Sequence, residues 1–234
     1  ALRPRFFGSY SDYTKRYCDA KMSIYGFDVS GQSNMAELHA LLRRVLLVRR
    51  LKADVLTELP SKRRCQVVVQ IDKKARPEVM AGMADWKALN KSIFKAPPNS
   101  ELQRKMIFDR KALISRLYHL NAEAKRTVSA DYLLDILANI EKVVVFAVHK
   151  TLIQYLEEML GRKSIGFMKI DGSVESSLRQ TNVDRFQNCA NCRVALLSLG
   201  AASTGITLTA ASTMLFFEQS WTPATILQAE DRIH

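Results

Sequence analysis

From residue 140 onward the chain alternates short, unbroken apolar runs with stretches of helical period, and this alternation restricts its fold more than any other feature. Val143-Val144-Val145-Phe146-Ala147-Val148 is apolar and β-branched, the pattern of a strand buried on both faces. Thr151 to Leu160 then places Leu152, Tyr155, Leu156 and Leu160 on one helical stripe, with Gly161 as a stop signal. Ile165 to Ile170 predicts a second strand. Ser176 to Gln187 predicts a helix with Leu178, Val183 and Phe186 as its apolar positions, followed by strands at Val194–Leu199 and Thr213–Phe217. Pro223 suits the first turn of a closing helix. Strands that alternate with helices pair in parallel. The expected class is therefore α/β, a parallel sheet with helices on both faces whose ligands gather at the carboxyl ends of the strands.

Residues 1–140 follow other rules. Asn34 with Glu37 three residues later predicts a capped helix start, after which Leu38, Leu41, Leu42, Val45 and Val48 recur at helical spacing. Arg43, Arg44, Arg49, Arg50 and Lys52 are interleaved with that stripe, and a solvated basic face explains them as well as a phosphate-binding face does. Gln66-Val67-Val68-Val69-Gln70-Ile71 reads as a strand. Pro77–Lys95 and Ser100–Glu123 read as two long helices split by Pro97-Pro98, with Ser100 and Gln103 forming a capping box. The predicted organisation is a basic linker and helical region over 1–65, a strand entering the lobe over 66–74, an inserted antiparallel helical protrusion over 75–128, and the α/β lobe over 129–234.

Charge narrows the partner. The 35 Lys and Arg against 23 Asp and Glu leave a net charge of +12, which points to a polyanion. Residues 1–65 hold 13 basic and 6 acidic residues, the denser share. No apolar run approaches the roughly 20 residues that span a bilayer and no leader pattern is visible, so a soluble, intracellular, nucleic-acid-binding chain is expected, with no membrane partner. Cys189-x-x-Cys192 lacks a second Cys or His pair nearby, so two loop thiols are expected there and no metal site. The sequence contains no G-x-x-x-x-G-K-[ST], G-x-S-x-G, H-E-x-x-H or G-x-G-x-x-G. A second α/β lobe that works with a phosphate-binding lobe elsewhere has this profile.

The run Gln228-Ala229-Glu230-Asp231-Arg232-Ile233-His234 resembles the start of motif VI of Swi/Snf-type DNA-dependent ATPases, on a helix expected to continue past His234. Ser198 with Gly205-Ile206-Thr207-Leu208-Thr209-Ala210-Ala211 is similar to motif V. Asp171-Gly172-Ser173 with Arg179 and Phe186 is similar to the segment after motif IV, and Val143–Val148 with His149-Lys150 to motif IV itself. Arg49–Leu56 followed by Leu59-Pro60-Ser61-Lys62 resembles the family's linker. Tyr13–Cys18, Ser30–Asn34 and Glu37-Leu38 together are most similar to the annealing-helicase branch that remodels stalled replication forks. Gly200, Ala202, Ser203 and Thr222 depart from the chromatin-remodelling pattern.

The resemblance implies a RecA-type second lobe of an ATP-dependent DNA translocase, acting in the nucleus on duplex or forked DNA without sequence preference. ATP and Mg²⁺ would be held mainly by a first lobe of the same protein, so this chain alone should not hydrolyse ATP. Arg232 is the implied catalytic residue, an arginine finger whose planar, permanent charge can meet phosphoryl oxygens. Gln228, one helical turn earlier, Gly205 and Asp231 are the implied nucleotide-binding residues. His149, Lys150, Gly172, Ser173, Arg179, Ser198 and Trp221 are the candidate DNA contacts, since strand-end loops offer N–H groups and hydroxyls to phosphates. His149 as a solvent-facing strand-end residue, Arg179 on a solvated helix and Trp221 as a packed aromatic are the plain structural alternatives. At the level of function the alternatives are a chromatin-remodelling motor and a non-catalytic DNA-binding scaffold.

Overall fold

The computed structural model describes residues 3, 6–23, 26–48, 50 and 61–233, which divide into two units, 1–63 and 64–234. In the first, helix α1 (Tyr10–Tyr17) begins at a capping box in which Ser9 and Asp12 satisfy each other's backbone N–H. Strands β1 (Lys21–Ser23) and β2 (Gly26–Asp28) form an antiparallel hairpin, and helix α2 (Met35–Val45) follows. Asn34 does start α2, but its side chain donates to the Arg16 carbonyl (2.8 Å) instead of capping. Glu37 likewise accepts from Arg16 Nε (2.9 Å) and Nη2 (2.8 Å) and from the Tyr17 hydroxyl (2.9 Å), so its carboxyl lies below the usual range. The motifs around Tyr13–Cys18 and Ser30–Leu38 are thus one packing unit. The expected linker signature falls mostly on residues 49 and 51–60, outside the described residues.

In the second unit residues 61–72 form no regular element, so the strand expected over 66–74 is absent. The run has strand composition, but β-propensity expresses itself only against a pairing partner, and β6, introduced below, pairs with β3 alone among the described strands. Helices α3 (Arg76–Lys95) and α4 (Glu101–Asn139) make the expected antiparallel hairpin. Arg110 donates to Asn90 (3.3 Å), Arg116 pairs with Glu78 (3.6 Å), and a Cβ on Gly82 would come within 2.6 Å of Leu117, so the helices meet closely there. Ser100 caps α4 through the Gln103 N–H, while Gln103 reaches back to Asn99 N, one residue short of a full capping box. The helix does not stop at Glu123. It runs on to Asn139, so the boundary expected at 128/129 falls inside one helix.

The sheet consists of β3 (Val143–Ala147), β4 (Gly166–Ile170), β5 (Cys192–Ser198) and β6 (Thr213–Phe216), all parallel, in the order β4-β5-β3-β6. Helices α5 (Lys150–Arg162), α6 (Ser176–Asn188) and α7 (Pro223–Glu230), with a 3₁₀ segment Leu199–Thr204, complete the lobe. Helix α5 continues past Gly161; the chain turns at Ser164, which takes a positive φ of 53°. Val143, Val145 and Ala147 pack with Leu133 and Leu137 of α4 and Leu152 and Leu156 of α5 on one face. Val144 and Phe146 pack with Val183 and Phe186 of α6 and Ala229 of α7 on the other. Burial of every β3 residue explains its unbroken apolar run. Leu178 is left exposed.

Two cations end helices that carry few of their own. Arg193 of β5 donates to the carbonyls of Leu137, Ile140 and Glu141 at the end of α4, whose last turn has no basic residue. Lys142 donates to the carbonyls of Phe186, Gln187 and Cys189 at the end of α6.

Candidate functional site

The parallel register sets the carboxyl ends of all four strands on one edge: Ala147 lies opposite Ser198, Phe146 opposite Phe216 and Ile170 opposite Leu197. The residues that follow the strand ends are His149 and Lys150, Asp171–Ser173, the 3₁₀ segment after Ser198, and Glu218–Trp221. Strand-end candidates from four separate stretches of sequence are therefore neighbours. Lys150, Gly172, Ser173 and Trp221 are exposed, and Ser198 and Arg179 are half-buried.

His149 is the exception. It is only 8% exposed, so its side chain is neither placed as the expected direct DNA contact nor facing solvent as in the plain alternative. Glu218, 5% exposed, accepts from Val148 N (2.8 Å) and His149 N (2.8 Å) with one oxygen and meets His149 Nδ1 with the other. Two rings from α4 flank the imidazole: His119, with centroids 4.2 Å apart, and Tyr118, edge-on at 4.7 Å. Trp221 is 74% exposed and leans on Tyr118 at 5.5 Å, so it is not a core aromatic. The Tyr118 hydroxyl donates to the Gln219 carbonyl. Partial burial, with Glu218 nearby, pushes that phenol above its ordinary value and keeps it a donor. Sequence reasoning did not find Tyr118, His119 or Glu218, because no local motif links a helix residue to a loop one hundred positions later.

The β4 end is a different construction. Asp171 accepts from both the N–H (2.8 Å) and the hydroxyl of Ser173. That hydroxyl hydrogen bond, ahead of the backbone one, holds the Asp171 carboxyl below its ordinary range. Gly172 is thereby presented at the tip of a fixed turn with open space around its Cα. Arg179 Nε donates to the Val174 carbonyl (3.1 Å), which ties the start of α6 to the same turn.

The nucleotide candidates form a second group. Helix α7 ends at Glu230, so Arg232 lies in the turn after it and not on the helix; Asp231 is its C-cap. The same-face relation expected between Gln228 and Arg232 is replaced by a backbone link, in which the Arg232 carbonyl accepts from Leu208 N (2.8 Å). Gly205, three residues before Leu208, closes the 3₁₀ segment with φ +73°, a conformation that favours glycine. Arg232 and the Gly205–Leu208 loop are thus joined. Gln228 and Asp231 are exposed and Arg232 is half-buried. His234 lies outside the described residues. Glu230 faces inward and accepts from Arg64 Nε (2.7 Å) and Nη2 (2.6 Å), a bidentate pair that fixes the base of this turn.

Among the described residues no group of three or more His, Cys, Asp or Glu is placed to hold a metal ion, and no helix is long and apolar enough to cross a membrane. Cys189 is an exposed loop thiol, but Cys192 is the first residue of β5, and burial raises its thiol pKa.

Residues 128–234 match the family model described as the helicase conserved C-terminal domain. The whole chain aligns with the SWI/SNF-related matrix-associated actin-dependent regulator of chromatin subfamily A-like protein 1 of Xenopus tropicalis, 40% identical over 235 residues, which is 24% of that protein. It aligns equally completely with the human DNA annealing helicase and endonuclease ZRANB3, 38% identical over 239 residues and 21% of that protein. The chain therefore spans about a quarter of the length of the curated relatives it matches. In fold it is similar to the Sulfolobus solfataricus SWI2/SNF2 ATPase core solved in complex with dsDNA, with a TM-score of 0.57 at 19% identity, covering 99% of this chain and 49% of that one. Residues 128–234 thus match the helicase conserved C-terminal domain, and the chain as a whole is similar in sequence to part of a SWI/SNF-related protein and of a DNA annealing helicase.

Proposed function

We propose that the chain is the second motor lobe of an ATP-dependent DNA translocase of the annealing-helicase kind, which rewinds or remodels forked DNA in the nucleus. The observation that supports this most is the pairing of two groups on one lobe. Four exposed residues, Lys150, Gly172, Ser173 and Trp221, lie at the strand ends, and Arg232 is tied by its backbone to the Gly205–Leu208 loop. The first group suits contacts with a phosphate backbone that carry no sequence information. His149 serves that group from inside, through Glu218 and Tyr118. Ser198 and Arg179 flank it.

ATP and Mg²⁺ belong to this reading as substrate and ion held mainly by a first lobe, consistent with the absence of a phosphate-cradling loop from this sequence. Arg232 would meet the charge that develops on the transferred phosphoryl group, with Gln228 and Asp231 beside it and Gly205 shaping the facing loop. Opening and closing of the two lobes would convert hydrolysis into movement along the duplex.

The test has two stages. The chain alone should bind duplex and forked DNA without sequence preference, with affinity falling steeply between 50 and 200 mM salt, and should show no ATP turnover. Joined to a first lobe it should become a DNA-stimulated ATPase, and Arg232→Ala should cut its turnover by about 10³-fold or more while changing nucleotide affinity far less. An extended enzyme that is indifferent to Arg232→Ala removes the finger. An extended protein with no DNA-dependent hydrolysis makes the lobe a scaffold.

A further inference from the structure

The helical hairpin enters the strand-end surface through two adjacent residues of α4. His119, His149, Tyr118 and Trp221 form a continuous row of rings, with successive centroids 4.2, 4.7 and 5.5 Å apart. Three elements contribute: α4, the β3–α5 junction and the β6–α7 loop. The two ends of the row, His119 and Trp221, are exposed, and its middle is half-buried or buried. Tyr118 is the joint. Its ring supports Trp221, its edge meets His149, and its hydroxyl holds the Gln219 carbonyl two residues before Trp221. Glu218, next in sequence to Gln219, locks His149. The β6–α7 loop is therefore gripped at both Glu218 and Gln219, with the side chain of α4 between.

We infer that α4 is part of the DNA-binding surface, with Tyr118 as a positioning residue for Trp221 and His119 as a direct contact for a base or sugar of the strand that crosses the row. This rests on the DNA-contact reading of Trp221 given above. The physical reason is preorganisation. An exposed tryptophan that is free to choose rotamers loses that freedom on binding, at about 0.5–1.5 kcal/mol per side chain, and a ring already held by Tyr118 and a fixed backbone does not. The two exposed rings at the ends of the row, His119 and Trp221, offer faces that tolerate any base.

Fluorescence anisotropy with labelled forked DNA, using this chain, decides the matter. Trp221→Ala should weaken binding about tenfold. Tyr118→Ala should weaken it roughly threefold to tenfold, and the double variant should bind no worse than Trp221→Ala alone, because Tyr118 acts through Trp221. His119→Ala should add its own loss of about threefold to any of these. Tyr118→Phe keeps the ring and frees Gln219, and should fall between wild type and Tyr118→Ala. In a Trp86→Phe background, Trp221 emission should move to the red and lose anisotropy with Tyr118→Ala, before any DNA is added. If Trp221→Ala weakens binding while Tyr118→Ala and His119→Ala do not, the inference is overturned and the DNA reading stands. Additive losses from Tyr118→Ala and Trp221→Ala overturn the positioning role. If Trp221→Ala binds as wild type does, the reading beneath the inference fails as well. Should Tyr118→Ala not fold, Tyr118→Phe and the emission measurement carry the test, and wild-type values in both overturn the positioning role.

Discussion

Glu218 is buried beneath the strand ends, and Glu218→Ala is expected to destabilise the 64–234 unit severely. One carboxylate oxygen accepts two backbone N–H groups at 2.8 Å, from half-buried Val148 and buried His149, and the other meets the His149 ring, with Glu218 itself 5% exposed. A hydrogen bond to a charged group contributes about 1.5–3 kcal/mol, and a buried donor left without a partner costs a similar amount. Two orphaned N–H groups therefore cost about 3–6 kcal/mol, and a water entering the space left by the side chain would recover part of it, leaving about 3–5 kcal/mol. For a domain of this size each kcal/mol lowers the melting temperature by about 2–4 °C, so Glu218→Ala should melt at least about 6 °C below wild type. Glu218→Gln keeps a carbonyl oxygen for both N–H groups and should lose about 1 kcal/mol. Thermal unfolding followed by circular dichroism separates the two. A Glu218→Ala protein that melts within about 2 °C of wild type, or a Gln variant as damaged as the Ala variant, refutes the reasoning.

Arg193→Met should cost about 2–3 kcal/mol, read from urea midpoints, because three carbonyls at the end of α4 lose their cation. Asp171 has a folded pKa below its ordinary 3.8, so its contribution is complete above about pH 4 and is lost as the pH falls through the lower, folded value. Asp171→Asn should accordingly flatten the acid limb of melting temperature against pH below about 4, and an unchanged limb would count against the Ser173 hydrogen bond as its cause. Gly205→Ala meets open space but an unfavourable φ, so it should cost about 1–2 kcal/mol by urea titration, and Gly205→Asn less.

The lobe was legible where burial writes directly into composition. Val143–Val148 and Val194–Leu199 are continuous because both faces of β3 and β5 are covered, and Pro223 marked the start of α7 correctly. The missed elements had weaker or misread signals. The capping box of α1 was present as Ser9-x-x-Asp12, and α4 could have been followed to Asn139, since no Gly or Pro interrupts residues 101–139. The β1–β2 hairpin has no alternation to reveal it. The run at 66–71 errs in the other direction, a strand by composition with no pairing neighbour among the described residues. At the site, order along the chain brought Lys150, Gly172, Ser198 and Trp221 together through the parallel topology, which the sequence implied. The contribution of α4 depends on which turn of a long helix passes the sheet, and no local pattern encodes that.

That long helix has a mechanical side. Its 39 residues measure about 58 Å at about 1.5 Å each. The half from Ala122 to Leu137 is bedded in the core, while the half toward Glu101 stands free of the sheet with α3 beside it. Tyr118 sits close to the point where the rod leaves its socket, about 26 Å from the start of α4. A load applied at the tip therefore reaches Tyr118 with the gearing of a lever near its fulcrum, so a tilt of about 4° that carries the tip about 2 Å shifts the Tyr118 ring by only a small fraction of that. Tyr118 packs against Trp221, so a tilt of the hairpin about that point would turn a coarse displacement of its tip into a fine adjustment of one indole on the strand-end surface.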